Sequence, residues 1–477
     1  MNLKKVKIFP AKCAVDLGDG SERGPYVNQD YVFNTMGRPH RGINLMYCYY
    51  PLDETFPQRA SECHTGGDVS FAWDYAYDDY FTYKGGLEGD TTGEPFTYMR
   101  DVRRHGQDVV LTLTCDPHVS DEQIKAIAHD LIPYGRIFLR LNHEATGNWF
   151  SFNKRASYAE VGAFFAHFCD IIHEEAPNVL MILCIDGFME LEDEKIDRED
   201  EFTEAIKKAD IWSVDKYLAL NWGWPFEVAE KDNFQHKLEG NDIVYAKTKK
   251  TYERFCEIAG ERRPMLISEF NADGDVTGPY LQAELVKDFC ERIKNDPDDW
   301  FSGFTMYQFR DNGRLGLEYT DPNNEDVGIA CPLMDTYKEI ISDEFFMPKL
   351  ESNEEISLPF KLRWGSSEDA EGLAIELDIL KAPLFAEANF NNELTQMNLI
   401  MELNGKWFYK APGVKYVDFM PAFFNKEIKE PCKMKLNIFA PPSTGENDPS
   451  QGSDWVNNYY TTINEIPDIR LRFDPIV

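Results

Sequence analysis

Positive charge is scarce in this chain: 49 Lys and Arg stand against 83 Asp and Glu in 477 residues, a formal net charge of -34. Such a surface repels phosphate backbones and anionic membrane faces, which are bound chiefly through Lys/Arg neutralisation, so neither nucleic acid nor membrane is an expected partner. Long apolar runs are lacking as well, which leaves no membrane-spanning segment. The amino terminus is basic through Lys7 but continues into Ile8-Phe9-Pro10-Ala11-Lys12 without the apolar stretch of an export signal. Ten cysteines are scattered with no C-x-x-C pair or other metal-ligand spacing, as expected of buried free thiols in a reducing compartment. The expected location is the cytoplasm, or outside the cell had a leader been removed. Also missing are a P-loop, a Ser-His-Asp signature and an H-E-x-x-H helix, and no cofactor is expected.

What is present is a folded composition, 43% hydrophobic and 14% aromatic, in a chain too long for one core. From about residue 95 to 345, short apolar β-rich runs alternate with helix-period segments, the pattern of repeated βα units. Strands are expected at 109–114, 136–141, 179–185, 211–214, 264–268 and 304–309. Helices are expected from near Ser120, over 157–175, around 200–208, from 241 to 259 and over 280–294. Two upstream runs, 42–47 and 69–73, supply the remaining strands of a (β/α)8 barrel. An open doubly wound sheet is the competing topology, but the Gly-rich turn it places after its first strand is absent.

After residue 350 the period changes to two. Leu373, Ile375, Leu377 and Ile379 alternate with polar or small residues, as do Met397, Leu399, Met401 and Leu403, and then Met434, Leu436 and Ile438. This predicts an antiparallel β-sandwich over 351–477, following a catalytic barrel over 1–350, with the boundary in the polar run Glu351 to Glu355.

A barrel of this kind carries its active site at the carboxyl ends of its strands. Glu144 ends the strand 136–141 and Glu269 the strand 264–268. Counted back from the last strand as the eighth, these are strands four and seven, which face each other across the mouth. Two facing carboxyls are the equipment for cleaving a glycosidic bond, one giving a proton to the leaving oxygen and the other, ionised, attacking the anomeric carbon or activating water.

The segment Arg140-Leu141-Asn142-His143-Glu144-Ala145-Thr146-Gly147-Asn148-Trp149-Phe150 resembles the acid/base region of glycoside hydrolase family 26, the mannanase-containing family. More broadly the chain resembles clan A of the glycoside hydrolases, retaining barrels with the acid/base glutamate on strand four and the nucleophile on strand seven. The resemblance implies that Glu144 is the acid/base and Glu269 the nucleophile, with a looser match at Val214-Asp215-Lys216-Tyr217, where the clan often places a tyrosine near the nucleophile. It implies a β-linked substrate such as mannan or a related glucan or xylan. Phe270-Asn271 after the nucleophile, and Tyr307 and Phe309 where the clan often has a tryptophan platform, depart from the family pattern and bear on mannan specificity.

The neighbours of the two glutamates carry further expectations. His143 either holds a sugar hydroxyl or tunes the adjacent acid. Asn142 bonds a sugar 2-hydroxyl or serves the strand-end turn, and His118, just past the strand 109–114, is similarly placed. Arg140 either keeps the nucleophile ionised or serves the barrel alone. Tyr217 hydrogen-bonds Glu269 or packs as an ordinary core tyrosine. Trp149, Trp222, Trp224 and Tyr307 are candidate sugar platforms, as is the stretch from Trp73 to Tyr80. The oxygen-rich run Asn271 to Asp275 is reminiscent of a calcium loop but lacks its twelfth-position glutamate. Besides a glycosidase, a second class fits these residues: a carbohydrate-binding protein on a hydrolase-like barrel that cuts no bond.

Overall fold

A computed structural model describes residues 2–18, 26–54, 56, 80–219, 240–311, 315–364, 370–424, 426–441 and 459–474. Eight parallel strands close into a ring: β1 (Ala14–Gly18), β2 (Gly42–Tyr49), β3 (Asp108–Cys115), β4 (Ile137–Leu141), β5 (Val179–Cys184), β6 (Ile211–Leu218), β7 (Met265–Ala272) and β8 (Gly303–Met306). The ring closes because Met306 of β8 pairs with Leu17 of β1, and Leu17 with Ile43 of β2. Glu144 therefore follows strand four and Glu269 lies in strand seven, in line with the count from sequence.

The expected helices form where their signals stand. Asp121–Leu131 and Tyr158–Glu175 each open on a reciprocal capping box, Ser120 with Gln123 and Ser157 with Glu160. These pairs satisfy backbone N–H groups that the first turn leaves without partners. Glu199–Lys208, Asn241–Ala259 and Pro279–Asn295 follow.

One strand differs from expectation. The run 69–73 lies outside the described residues, and the ring takes Ala14–Gly18 instead. In that strand Val15 and Leu17 pack into the large apolar cluster, while the alternate positions are Ala14, Asp16 and Gly18. Two large apolar residues interrupted by an aspartate and ended by a glycine make too short a run to announce a strand.

Alternation divides the barrel strands between two environments. On β3, Val109, Leu111 and Leu113 pack in the cluster that holds Ile124 and Ile127 of the following helix. Val110 belongs to a separate small cluster with Phe138, Ile182, Ile211 and Leu266, which forms the floor of the barrel. Two residues further along four of these strands, the next inward position is polar: Thr112, Arg140, Ser213 and Ser268, all buried.

The second region contains an eight-stranded antiparallel sheet and a three-stranded sheet, in the order Tyr416–Asp418, Phe385–Asn389, Asp468–Arg472. Between them, Leu373, Ile375, Leu377, Ile379, Leu399, Met401, Leu403, Leu436 and Ile438 form a sandwich core with Ala386 and Ala388, matching the period-two reading. The amino-terminal strand Leu3–Phe9 joins the large sheet between Lys349–Glu355 and Glu371–Ile379. The opposite face of that sheet, with Val6, Ala374, Ile400, Trp407 and Phe439, packs against Phe33 of the helix Gln29–Met36. Cys13, Cys48, Cys115, Cys169, Cys184 and Cys290 are buried free thiols. Among the described residues no helix is long and apolar enough to cross a membrane.

Candidate active site

The chain leaves β4 through a sharp turn in which Asn142 and Glu144 both take left-handed backbone angles, with φ of 47° and 50°. Asparagine tolerates this region; for a glutamate it costs on the order of 1 kcal/mol, a strain characteristic of functional turns. The turn is held from both sides. Asn142 Oδ1 accepts from the Cys115 N–H at 2.6 Å and its Nδ2 donates to the Cys115 carbonyl at 3.2 Å, which ties the turn to β3. The Ala145 N–H donates to the Cys184 carbonyl at 3.2 Å, and Thr146 Oγ1 donates to Asp186 at 2.8 Å, which ties it to β5. Trp149 Nε1 then donates to Glu144 Oε2 at 2.8 Å. A Cβ on Gly147 would lie 2.4 Å from the indole ring carbons of Trp149, so a glycine is required for the indole to fold back onto the glutamate.

Glu269 is aimed by a bulge. Strict alternation would turn Glu269 away from the face that Ser268 occupies. The β6–β7 register instead pairs Val214 with Ile267 and Asp215 with Glu269, leaving Ser268 as the extra residue. Two consecutive side chains thus reach the same space, a recurrent use of bulges beside active sites. Ser268 Oγ donates to Asp215 at 2.6 Å, while Glu269 meets Arg140 and Tyr217.

Arg140 is the centre of the arrangement, with a fully buried side chain. Its Nη1 lies 3.0 Å from both oxygens of Asp215, its Nη2 donates to Glu269 Oε1 at 2.7 Å, and its Nε donates to Thr112 Oγ1 at 2.8 Å. Tyr217 donates its hydroxyl to Glu269 Oε2 at 2.5 Å. Both oxygens of Glu269 therefore receive a hydrogen bond, one of them from a cation. Burial works against the Arg140 charge, but Asp215 and Glu269 outweigh it and hold the guanidinium protonated.

The two glutamates differ sharply. An edge of Glu144 reaches solvent, yet its carboxyl lies deep enough that desolvation, followed by the charges of Asp215, Glu269 and Asp186, pushes its pKa well above the usual carboxylate range; the Trp149 donor opposes this only in part. Of the two carboxyls, Glu144 is the one whose surroundings favour the protonated form. His143 is buried, with Nε2 3.0 Å from the Tyr80 hydroxyl and 3.6 Å from Glu269 Oε1. Desolvation and then the Arg140 charge hold its pKa well below the imidazole range, so the ring is neutral. Ligand-type atoms of His143, Asp215 and Glu269 lie within 4.8 Å of one another, a spacing open to a metal ion. The positive charge among these carboxylates is already supplied by Arg140, which bonds both.

Of the residues singled out from sequence, Glu144, Glu269, Arg140, His143, Trp149 and Tyr217 come together here. Tyr307 is buried beside them, its ring edge-on to Tyr217 with centroids 5.6 Å apart. Asn142 has both ends of its amide engaged by the Cys115 backbone, which assigns it to the turn. His118 points outward, with a side chain 57% exposed and Nδ1 2.9 Å from Asp116. Asp116 in turn accepts from Arg155. Trp222, Trp224 and the stretch from Trp73 through residue 79 lie outside the described residues. In the oxygen-rich run, Asp273 Oδ1 caps the short helix Gly274–Thr277, and Asn271 Nδ2 donates to the Tyr307 carbonyl at 2.6 Å. Asp215 and Ser268 were missed in the sequence: Asp215 sits two residues before Tyr217 on the same strand, a period-two signal that marks it as inward.

No family model matches the sequence, and no curated protein does. Solved structures do resemble the chain. An endo-β-1,4-mannanase of Cellulomonas fimi is 12% identical, covering 90% of this chain and 89% of its own, with a TM-score of 0.43. A GH26 β-mannanase from Bacteroides ovatus is 11% identical, covering 70% and 90%, with a TM-score of 0.41. An α-L-arabinofuranosidase from Thermotoga maritima is 10% identical, covering 92% and 99%, with a TM-score of 0.44.

Proposed function

We propose that this protein is a retaining glycoside hydrolase acting on a β-linked polysaccharide or oligosaccharide, with Glu144 as acid/base and Glu269 as nucleophile. The observation that carries the reading is the asymmetry of the two carboxyls. Glu269 accepts a hydrogen bond on each oxygen, from Arg140 and from Tyr217, while burial and neighbouring negative charge push the Glu144 carboxyl well above the usual carboxylate range. A carboxyl given a donor on each oxygen, beside one pushed toward its protonated form, suits a nucleophile and an acid in one site.

In the first step Glu269 attacks the anomeric carbon as Glu144 gives its proton to the departing oxygen, leaving a glycosyl ester on Glu269. Esterification removes the Glu269 charge, one of the causes that raise Glu144, so Glu144 becomes acidic enough to act as base toward the incoming water. Neutral His143 presents Nε2 beside Glu269 Oε1 and the Tyr80 hydroxyl and lines the site next to the nucleophile. Trp149 offers an indole face beside the acid. The motif around Glu144 points to mannan or a related glucan or xylan as substrate. A non-catalytic carbohydrate-binding protein is the second reading; a binding scaffold needs sugar contacts but no buried guanidinium holding one carboxylate beside a second, protonated one.

The test is hydrolysis of a panel of β-linked polysaccharides and aryl glycosides by the wild type, Glu144→Ala and Glu269→Ala, with and without azide. Glu269→Ala is expected to lose at least about 10⁴-fold in kcat/KM and to give an inverted glycosyl azide. Glu144→Ala is expected to lose about 10²–10⁴-fold on poor leaving groups and far less on activated aryl ones. Variants that match the wild type on a cleaved substrate refute the assignment; sugar binding without cleavage of any substrate favours the binding-protein reading.

A further inference from the structure

Asp215 takes no chemical step in the reaction as drawn above, yet its side chain is the most deeply buried carboxylate of the throat. Its side chain has no solvent exposure. It takes both Nη1 contacts of Arg140 at 3.0 Å and accepts from Ser268 Oγ at 2.6 Å. Ser268 Oγ also lies 2.8 Å from Ser213 Oγ.

One guanidinium thus serves two carboxylates. Were Asp215 neutral, Arg140 would be free to turn its whole charge onto Glu269, which would stabilise that carboxylate and weaken it as a nucleophile. From this geometry we propose that Asp215 is a positioning residue, holding Arg140 between the two carboxylates so that Glu269 is oriented but not fully neutralised, and leaving the throat with two carboxylates to one guanidinium beside Glu144. The proposal rests on the glycosidase reading for its consequence in turnover, but its electrostatic part stands on the site alone.

The charged and titratable groups around Asp215 and Glu144 come from every packed element: Arg140 and His143 from β4 and its turn, Cys184 and Asp186 from β5 and its loop, Tyr217 from β6, Glu269 from β7. Among the causes that raise Glu144, Asp215 follows desolvation and precedes Glu269 and Asp186. Asp215 is itself pushed up to about 7, by burial and then by Glu269, against the opposing pull of Arg140 and Ser268.

The experiment is Asp215→Asn in the full chain, which keeps the shape and removes the charge, with the Glu144 carboxyl followed by ¹³C NMR titration alongside the pH profile of kcat/KM. The expected result is a fall in the Glu144 pKa of about 1 unit or more, with the basic limb of the profile moving to lower pH by the same amount. Ser268→Ala, which removes a hydrogen bond to the Asp215 carboxylate and alters no charge, is expected to move Glu144 in the same direction by less, and it serves if Asp215→Asn does not fold. A Glu144 titration unchanged in a folded variant overturns the proposal. If the wild type cleaves no glycoside while the titration still shifts, the electrostatic role stands and the hydrolase reading fails separately.

Discussion

The floor and the throat of the barrel are built from the same four strands, one inward position apart, and they solve opposite problems. On the floor, Val110, Phe138, Ile211 and Leu266 fill the interior with apolar volume, each contributing about 1.5–3 kcal/mol by leaving water. One step up, Thr112, Arg140, Ser213 and Ser268 take their places, and with Asp215 and Glu269 they bury charge that no apolar packing compensates. A buried ion pair is weak evidence for stability, since desolvation can exceed the attraction. The throat is therefore better understood as an arrangement kept for its chemistry on a scaffold whose stability comes from below and from outside.

That contrast can be broken in order of expected effect. Arg140→Met leaves Asp215 and Glu269 facing each other without a cation. It is expected to destabilise the fold by about 3–5 kcal/mol and to lower kcat/KM by about 10²-fold or more, measured by denaturant unfolding and steady-state kinetics. A loss confined to stability would make the throat structural. Leu266→Ala on the floor is expected to cost about 2–5 kcal/mol and, while the protein is folded, to leave the pH profile of kcat/KM in place. A shifted profile there would show that floor and throat are not separable.

The finest cut is Trp149→Phe, which removes the indole N–H from Glu144 and leaves an aromatic face. That donor favours the charged carboxylate, so its loss raises the Glu144 pKa, and the basic limb is expected to move to higher pH by up to about 1 unit. The sign is opposite to that expected for Asp215→Asn.

The floor and the outer packing were legible in the sequence because both are periodic. Val109 to Thr114 and Arg136 to Leu141 announce strands by β-rich apolar content, and the sandwich strands announce themselves by alternation. Ser120 and Ser157 mark helix starts through caps that act within four residues. The placement of the two glutamates at the mouth was legible because a barrel opens its site at the carboxyl ends of its strands. Ala14–Gly18 was not, since an inward face of Ala, Asp and Gly carries no apolar pattern. The inward turn of Glu269 beside Ser268 was not legible either, because a bulge is a property of the pairing between two strands. For the same reason Asn142 read equally well as a sugar ligand and as a turn residue, and only its bonds to Cys115 across β3 separate the two.

The most direct test of the central claim is to incubate the protein with an activated 2-deoxy-2-fluoro glycoside of whichever sugar it cleaves, then digest it and locate the modified peptide by mass spectrometry. The account predicts a single glycosyl ester on Glu269, formed faster than the ester is hydrolysed. An ester on another residue, or turnover that inverts the anomeric centre with no ester formed, would contradict it.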